Sequence, residues 1–314
     1  MTINMQDRLL ERLVQTGAIR VRKNETDMPY WYTSCIPGPY YINVEKMIGP
    51  HIASQALPQI TDILSSALDR REKAMKISQI MIGHLDCDKN YMETISLLVQ
   101  FYQSSTRSMP SAISGGERRD WFFSIPFAKV MGIPHLFILK NGDYWSLDNH
   151  GNLTDNKWND VNVLHVSDII NTAASYTRYW LPTLEGIGVS LKETLTVAVR
   201  GTPGRQKLEQ NGVQIFTPLD LSEAVFVEAY KKNLISQFSL HEILLYMESP
   251  RSWTHNFLTR CERLLTDQFI FLDETQQNRI LSFVQNDPYE FAEEFPLFFG
   301  IHARGGESNV YRNR

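Results

Sequence analysis

Two hydrophobic rhythms divide this chain. Short apolar runs alternate with helix-spaced segments from about residue 75 to 230, and from Ser236 onward only the helical spacing remains. At the start, Leu9, Leu10, Leu13 and Val14 form one helical face, which Gly17 is suited to end. Ala18 to Arg22 alternates like a strand, and Tyr40 to Val44 predicts another. Pro50 and Pro58 are expected to break the next segment into two helical pieces, the second running through Ile60, Ile63, Leu64, Ala67 and Leu68. Ile77 to Ile82 reads as a strand, and Met92 to Tyr102 as an amphipathic helix with Ile95, Leu98 and Val99 inward.

Further on, Phe127 to Met131 predicts a short helix and Pro134 to Lys140 a buried strand. Asn141-Gly142 is a hairpin signal, and Asp143 to Leu147 with the turn at Asn149 to Asn152 makes a small excursion extending to Asp155. Thr194 to Val199 is a strand, with Gly201, Pro203 and Gly204 as its turn and a helix starting at Gln206. Val213 to Phe216 follows as a strand and Leu221 to Tyr230 as a helix. This alternation predicts an α/β fold with a mainly parallel, doubly wound sheet. Leu240 to Met247, Phe257 to Leu265, Gln276 to Val284 and Tyr289 to Glu294 predict a helical extension, and the tail from Ala303 is expected to fray.

The stretch from Val163 to Tyr176 reads as strand, loop, helix. Ligands of α/β sheets bind at the carboxyl ends of strands, where a helix N-terminus offers N–H groups to an anion. Asp168 is then placed to hold a ribose diol, and Asn171, Thr172 and Ser175 to hold a phosphate. An ordinary turn whose Ser and Thr cap the helix fits the same residues. A second anion site is offered by Ser114-Gly115-Gly116-Glu117-Arg118-Arg119-Asp120: two glycines let successive N–H groups converge, and two arginines supply fork-shaped donors. A solvated turn whose arginines pair with Glu117 and Asp120 accounts for it equally well.

Composition narrows the classes. The 314 residues are 43% hydrophobic and 21% charged, enough for a substantial core. Thirty-one basic against 35 acidic residues, a net charge of −4, disfavour a nucleic-acid binder. The rings between Tyr30 and Tyr41 suit a small-molecule base site as well as a nucleic acid. Cys35, Cys87 and Cys261 are widely spaced and are expected to be reduced thiols. His84 and Cys87 alone do not make a zinc site, and His165, inside a strand, reads as a satisfied core histidine. No run of 18 apolar residues occurs and the start lacks the apolar core of a signal peptide, so no membrane contact and a cytoplasmic location are expected.

Several pieces together resemble the type I phosphoribosyltransferases, and within them the orotate phosphoribosyltransferases. Thr16 to Arg20 followed by Pro39 to Asn43 is similar to that family's entrance segment. Val163 to Ser175 occupies the place of its phosphoribosyl pyrophosphate (PRPP) motif. Arg200, closing a strand before Gly201 and Gly204, is similar to its orotate-contacting arginine. The resemblance covers roughly residues 8 to 230. It implies a phosphoribosyltransferase-like domain over 1–235 with a small N-terminal hood at about 1–48, and a helical C-terminal extension over 236–314.

The resemblance also implies roles. Asp168 and Lys140 are the catalytic candidates. Gly115, Gly116, Arg118, Arg119, Asp168, Asn171, Thr172, Ala173, Ala174 and Ser175 would hold PRPP, and Tyr40, Tyr41 and Arg200 would border the base. The implied activity is transfer of ribose 5-phosphate from PRPP to orotate or a related base, with Mg2+ bound through PRPP and a homodimer as the assembly. No residue is expected to hold a metal by itself. The chain departs from the family at Ser167, where an acid is usual, at Ala173, where a glycine is usual, and at Ala174, where a threonine is usual. No lysine precedes Pro39 in the family's position, and the lysine-rich catalytic loop is absent, with only His150 between Asp143 and Asp155. These departures leave a second reading open: a catalytically degenerate member that senses nucleotides or engages a protein partner through the extension.

Overall fold

The computed structural model describes residues 4–154, 158, 159 and 161–301. The expectations for Asp155 and for the tail from Ala303 lie outside the described residues. The chain forms two compact units, one containing the chain up to Ala18 with Asn43–Val225, the other Ile19–Ile42 with the chain from Phe226. This division differs from a single cut at 235, because residues 19–42 pack with the helical extension.

In chain order the elements are α1 (Met5–Gln15), β1 (Ile19–Val21), β2 (Tyr30–Trp31), β3 (Pro37–Gly38), β4 (Tyr40–Ile42), α2 (Pro50–Ser65), α3 (Arg70–Cys87), α4 (Lys89–Ser105), β5 (Ala112–Gly116), α5 (Trp121–Met131), β6 (His135–Ile138), β7 (Tyr144–Leu147) and β8 (Val163–Ile170). A wide helical turn, Tyr176–Trp180, then leads into α6 (Leu181–Gly186), followed by β9 (Glu193–Val199), α7 (Pro203–Gln210), β10 (Gln214–Phe216), β11 (Leu219–Asp220), α8 (Glu223–Lys231), α9 (Gln237–Glu248), α10 (Pro250–Gln268), α11 (Glu274–Asn286) and α12 (Pro296–Phe299). The boundary between the units falls inside α8.

The sheet of the first unit has the order β10-β9-β8-β5-β6-β7, with β11 also on β9. All pairs are parallel except β6 with β7, which the Asn141-Gly142 turn joins antiparallel. Both faces are covered, as parallel strands require. Ala112, Leu136, Ile138 and Val163 join Trp180, Leu184 and Leu208 in one apolar cluster. On the other parity, Phe137 meets Trp121 of α5 and His135 meets Ser124 of α5. Burial, with His165 adding, lowers the His135 pKa to about 3, so it sits in the core as a neutral imidazole.

Four local expectations are corrected. Ile77 to Ile82 is helical, inside α3: buried Ala74, Ile77, Ser78, Met81 and Leu85 share one helical face, and Asp69 with Glu72 forms a reciprocal capping box. Pro58 does not divide α2, because buried Ile52, Ala53, Ala56 and Ile60 run as one face past it while Pro58 is exposed. Tyr289 to Glu294 is not a helix: the Asp287 carboxylate accepts from the N–H groups of Phe291 and Ala292, at 2.8 and 3.1 Å, offering the backbone a turn instead. Pro203 and Gly204 belong to α7 rather than to the preceding turn, with Pro203 in its first turn. The helix at Phe127 also begins earlier, at Trp121. Pro126 within it leaves the Phe122 carbonyl without its usual N–H, and the Tyr91 hydroxyl donates to that oxygen.

The second unit combines two small antiparallel ribbons, β1 with β4 and β2 with β3, with α9 to α12. Trp31 packs on Phe283 and Phe298, and Tyr40 on Tyr32, Phe226 and Tyr246. Its polar centre is Glu242. This carboxylate pairs with Arg22, both side chains being 1% exposed, and also accepts from Trp253 Nε1 and Arg260 at 3.1 Å each. Among the described residues no helix is long and apolar enough to cross a membrane. Removing one member of a buried pair strands the other's charge, so Glu242→Ala is expected to cost about 3–5 kcal/mol in denaturant unfolding. Arg260→Ala, whose side chain is 37% exposed, is expected to cost far less.

Candidate functional site

At the carboxyl ends of β5, β6 and β8 the first unit holds a cavity of about 380 Å³. Arg118, Arg119, Lys140, Asp168 and Asn171–Ser175 all line it, so most of the expected phosphate and ribose residues come together. Arg118 donates to the Thr61 hydroxyl, and Arg119 Nε lies 3.2 Å from the buried Glu45 carboxylate. The arginines therefore pair neither with Glu117 nor with Asp120 in the described contacts. Lys140 is exposed at the end of its segment, its N–H donating to Glu117 at 3.1 Å.

Asp120, which sequence reasoning offered only as a partner for the arginines, has a different place. Its carboxylate accepts from the N–H of Gly116 at 3.0 Å and from the N–H of Asp168 at 3.1 Å. His165 Nε2 lies 3.5 Å from the same group, and His165 Nδ1 is 2.9 Å from the Ser114 hydroxyl. One carboxylate thus ties the ends of β5 and β8 to the start of α5. An acid directly after Arg118-Arg119 and before a buried aromatic run was the available signal. The distances that give it meaning are tertiary.

Gly115 and Gly116 are not a turn with converging amides. Both lie in β5, where a Cβ on Gly116 would come within 2.2 Å of Trp180 and one on Gly115 within 2.0 Å of Ser124. The glycines serve close packing beneath the cavity and do not line it. Ser167 lines the cavity but is buried, 1% exposed: the Tyr176 hydroxyl donates to it at 2.8 Å and also contacts Thr194 at 2.7 Å. Burial, with Asp120's charge next, pushes the Tyr176 phenol well up, so it stays a neutral donor.

Asp168 stands within β8, near its carboxyl end. Burial pushes its carboxyl well above the usual carboxylate range and the neighbouring Asp120 charge adds to this, while the Ile169 N–H, donating at 2.6 Å, opposes it. The loop 171–173 then gives way to a helix from residue 174. Ala173 takes the left-handed conformation, φ 53°, a region that favours glycine, and it is buried in the apolar cluster with Tyr176 and Trp180. A methyl group at this position therefore does not prevent the turn, at a conformational cost of about 1 kcal/mol. In the helix the Leu181 N–H reaches back to the Tyr176 carbonyl, a wide turn of the kind often found at functional sites.

The loop is held from the α7 side. Gly204 donates to the Asn171 carbonyl at 3.0 Å, and a Cβ on Gly204 would lie 2.5 Å from that oxygen. The three base candidates belong to different units. Tyr40 is 3% exposed among the rings of the second unit, and Tyr41 in the same unit has the Arg20 guanidinium 5.6 Å from its ring centroid. Arg200, in the first unit, follows β9 with its N–H donating to the Ile170 carbonyl, and is not among the cavity's lining residues. No described group of three His, Cys, Asp or Glu side chains is arranged to hold a metal, His84 and Cys87 included, and all three cysteines are free.

With this geometry in place, comparisons with known proteins bear on the fold. Neither protein-family models nor curated proteins give a match. Among solved structures, the chain is similar to UMP synthase of Leishmania donovani, with TM-score 0.50 and 12% identity over 77% of this chain, and it spans 42% of that protein's length. It is also similar to orotate phosphoribosyltransferase of Francisella tularensis, with TM-score 0.49 and 10% identity, covering 77% of this chain and 98% of that one. The same enzyme of Mycobacterium tuberculosis, solved in complex with PRPP, matches at TM-score 0.40 and 13% identity, covering 69% of this chain and 96% of that one. The likeness is one of fold: the chain has a type I phosphoribosyltransferase-like α/β fold, a mainly parallel sheet flanked by helices.

Two outcomes follow from this geometry. Gly204→Ala is expected to displace the 171–175 loop and to cost about 1–3 kcal/mol in thermal unfolding. Asp168→Asn bears on pH. A carboxyl whose folded pKa is raised binds its proton more tightly in the native state, so native stability falls as pH rises from the ordinary carboxylate value towards the raised one. The Asn variant lacks that slope. Its stability relative to the unmodified chain is expected to increase between pH 4 and pH 7 in paired denaturation curves, and parallel curves would contradict the assignment.

Proposed function

We propose that this protein binds PRPP in the cavity at the ends of β5, β6 and β8 and transfers ribose 5-phosphate to a nitrogenous base, orotate or a related ring. The observation that carries this reading is the convergence of Arg118, Arg119 and Lys140 with Asp168 and the 171–175 loop on one cavity. In the reaction a ring nitrogen of the base attacks C1 of the ribose, the C1–O bond to the diphosphate breaks, and the diphosphate leaves with the electron pair. No protein nucleophile is needed. The chain's task is to orient the two reactants and to neutralise the leaving group.

Asp168 is assigned to the ribose hydroxyls, and the loop amides with Thr172 and Ser175, at a helix start, to the 5′-phosphate. Arg118, Arg119 and Lys140 take the diphosphate. The described acids form no three-ligand cage, so Mg2+ fits here as an ion carried by the diphosphate oxygens and water, a coordination it prefers. Trp180 and Tyr176 close the apolar wall. Tyr41 and Arg200 remain the base-side candidates, and a homodimer in the cytoplasm is the proposed setting.

A second reading is favoured by one observation. Ser167, where the family has an acid, lines the cavity as a buried hydroxyl bonded to Tyr176 and brings no charge to it. In this reading the site binds PRPP or a nucleotide without turnover, and the protein acts through a partner on the second unit, where Ile270 and Phe271 are 59% and 75% exposed.

Calorimetric titration with PRPP and Mg2+ tests both. Binding is expected to weaken at least about tenfold in Arg119→Ala and in Asp168→Asn. Chelation of Mg2+ is expected to reduce it in the same way. Release of diphosphate in the presence of a base panel establishes transfer; binding without release establishes the second reading. Unchanged affinity in both variants would remove the site.

A further inference from the structure

Beside this cavity lies a second groove of about 600 Å³, and Lys140 lines both. Its walls carry Tyr144 of β7, Arg178 and Tyr179 of the wide helical turn, and Pro182 and Thr183 of α6. Among its described lining side chains two are cations and none is an acid. Tyr144 is 38% exposed, and the Arg178 guanidinium sits 5.9 Å from the Tyr179 ring centroid.

A phosphate alone has no use for the two tyrosines, and an apolar ring has none for the two cations. A ligand that joins a flat heteroaromatic ring to a phosphate satisfies all four residues. Stacking on tyrosine accepts any base, and a guanidinium beside a ring extends the stacking surface while presenting N–H donors to phosphate oxygens. We propose that this groove is a nucleoside 5′-monophosphate site, with the base packed against Tyr144 and Tyr179 and the phosphate held by Arg178 and Lys140. Lys140 has a role in the first cavity as well, but none of the roles assigned there uses Tyr144, Arg178 or Tyr179, so the proposal rests on these three and does not require transferase activity.

The test is calorimetric titration of the full chain with AMP, in the presence of saturating ribose 5-phosphate and again in the Asp168→Asn variant. One AMP is expected to bind per chain in both settings. Arg178→Ala and Tyr144→Ala are each expected to weaken it about tenfold, and Tyr144→Phe to retain it. Thermal melts check that these surface variants remain folded. The proposal is overturned if AMP binding disappears in Asp168→Asn and ignores Arg178→Ala and Tyr144→Ala, since the nucleotide would then occupy the first cavity. It is also overturned if millimolar AMP gives no heat, or if the groove variants change only the sedimentation behaviour, which would make the groove a contact between copies. Loss of PRPP binding with AMP binding intact would count against the phosphoribosyl reading alone.

Discussion

The carboxylate of Asp120 is the joint on which the candidate site depends. By accepting one N–H from the end of β5 and one from within β8, it fixes how far apart two parallel strands open at their carboxyl ends. Parallel strands must part somewhere for a ligand to enter, and the freed amides need an acceptor there. A single negative group, itself almost buried and beside His165, supplies it. Burial raises the cost of ionising Asp168 and the same charge adds to it, so a carboxyl at the cavity wall is held partly against its own titration. Such tension between stability and readiness to bind is common where a site is built on a rigid sheet.

Around that joint, residues that depart from a phosphoribosyltransferase pattern fall into two physical kinds. Ala173 changes the residue and keeps the backbone: its positive φ preserves the turn, and its methyl group lies in the apolar cluster. Ser167 changes the residue and the charge, since a buried hydroxyl bonded to Tyr176 stands there at the cavity wall. The first kind keeps the turn after β8. The second leaves a neutral hydroxyl where that pattern has an acid. This is why ligand binding and turnover are separate questions for this chain.

Outside the sheet, the second unit is organised by a charge of its own. Glu242 gathers Arg22 from the N-terminal segment and Arg260 and Trp253 from α10, so the aromatic loop that precedes Tyr40 is used for packing. The rings that looked suited to a base are largely inside: Trp31 and Tyr40 are each 3% exposed. Aromatic residues are large apolar surfaces first, and only their neighbours decide whether a face is left for a ligand.

Much of the architecture was legible in the chain. The parallel sheet, the hairpin at Asn141-Gly142, the strand carrying Asp168 and the helical character after Ser236 all rest on local periodicity and turn chemistry, which act over a few residues and are written in order. Arg118, Arg119, Lys140 and residues 171–175, which the resemblance grouped, line one cavity. What only the tertiary structure decided is contact across distance. The helix at Ile77 needed its partners to select it over a strand, and Asp120 needed β8 beside it. Gly116 needed Trp180 above it, and Tyr40 needed the rings that bury it. Each depends on residues tens to hundreds of positions apart, and no local pattern in a single sequence encodes which of them will meet.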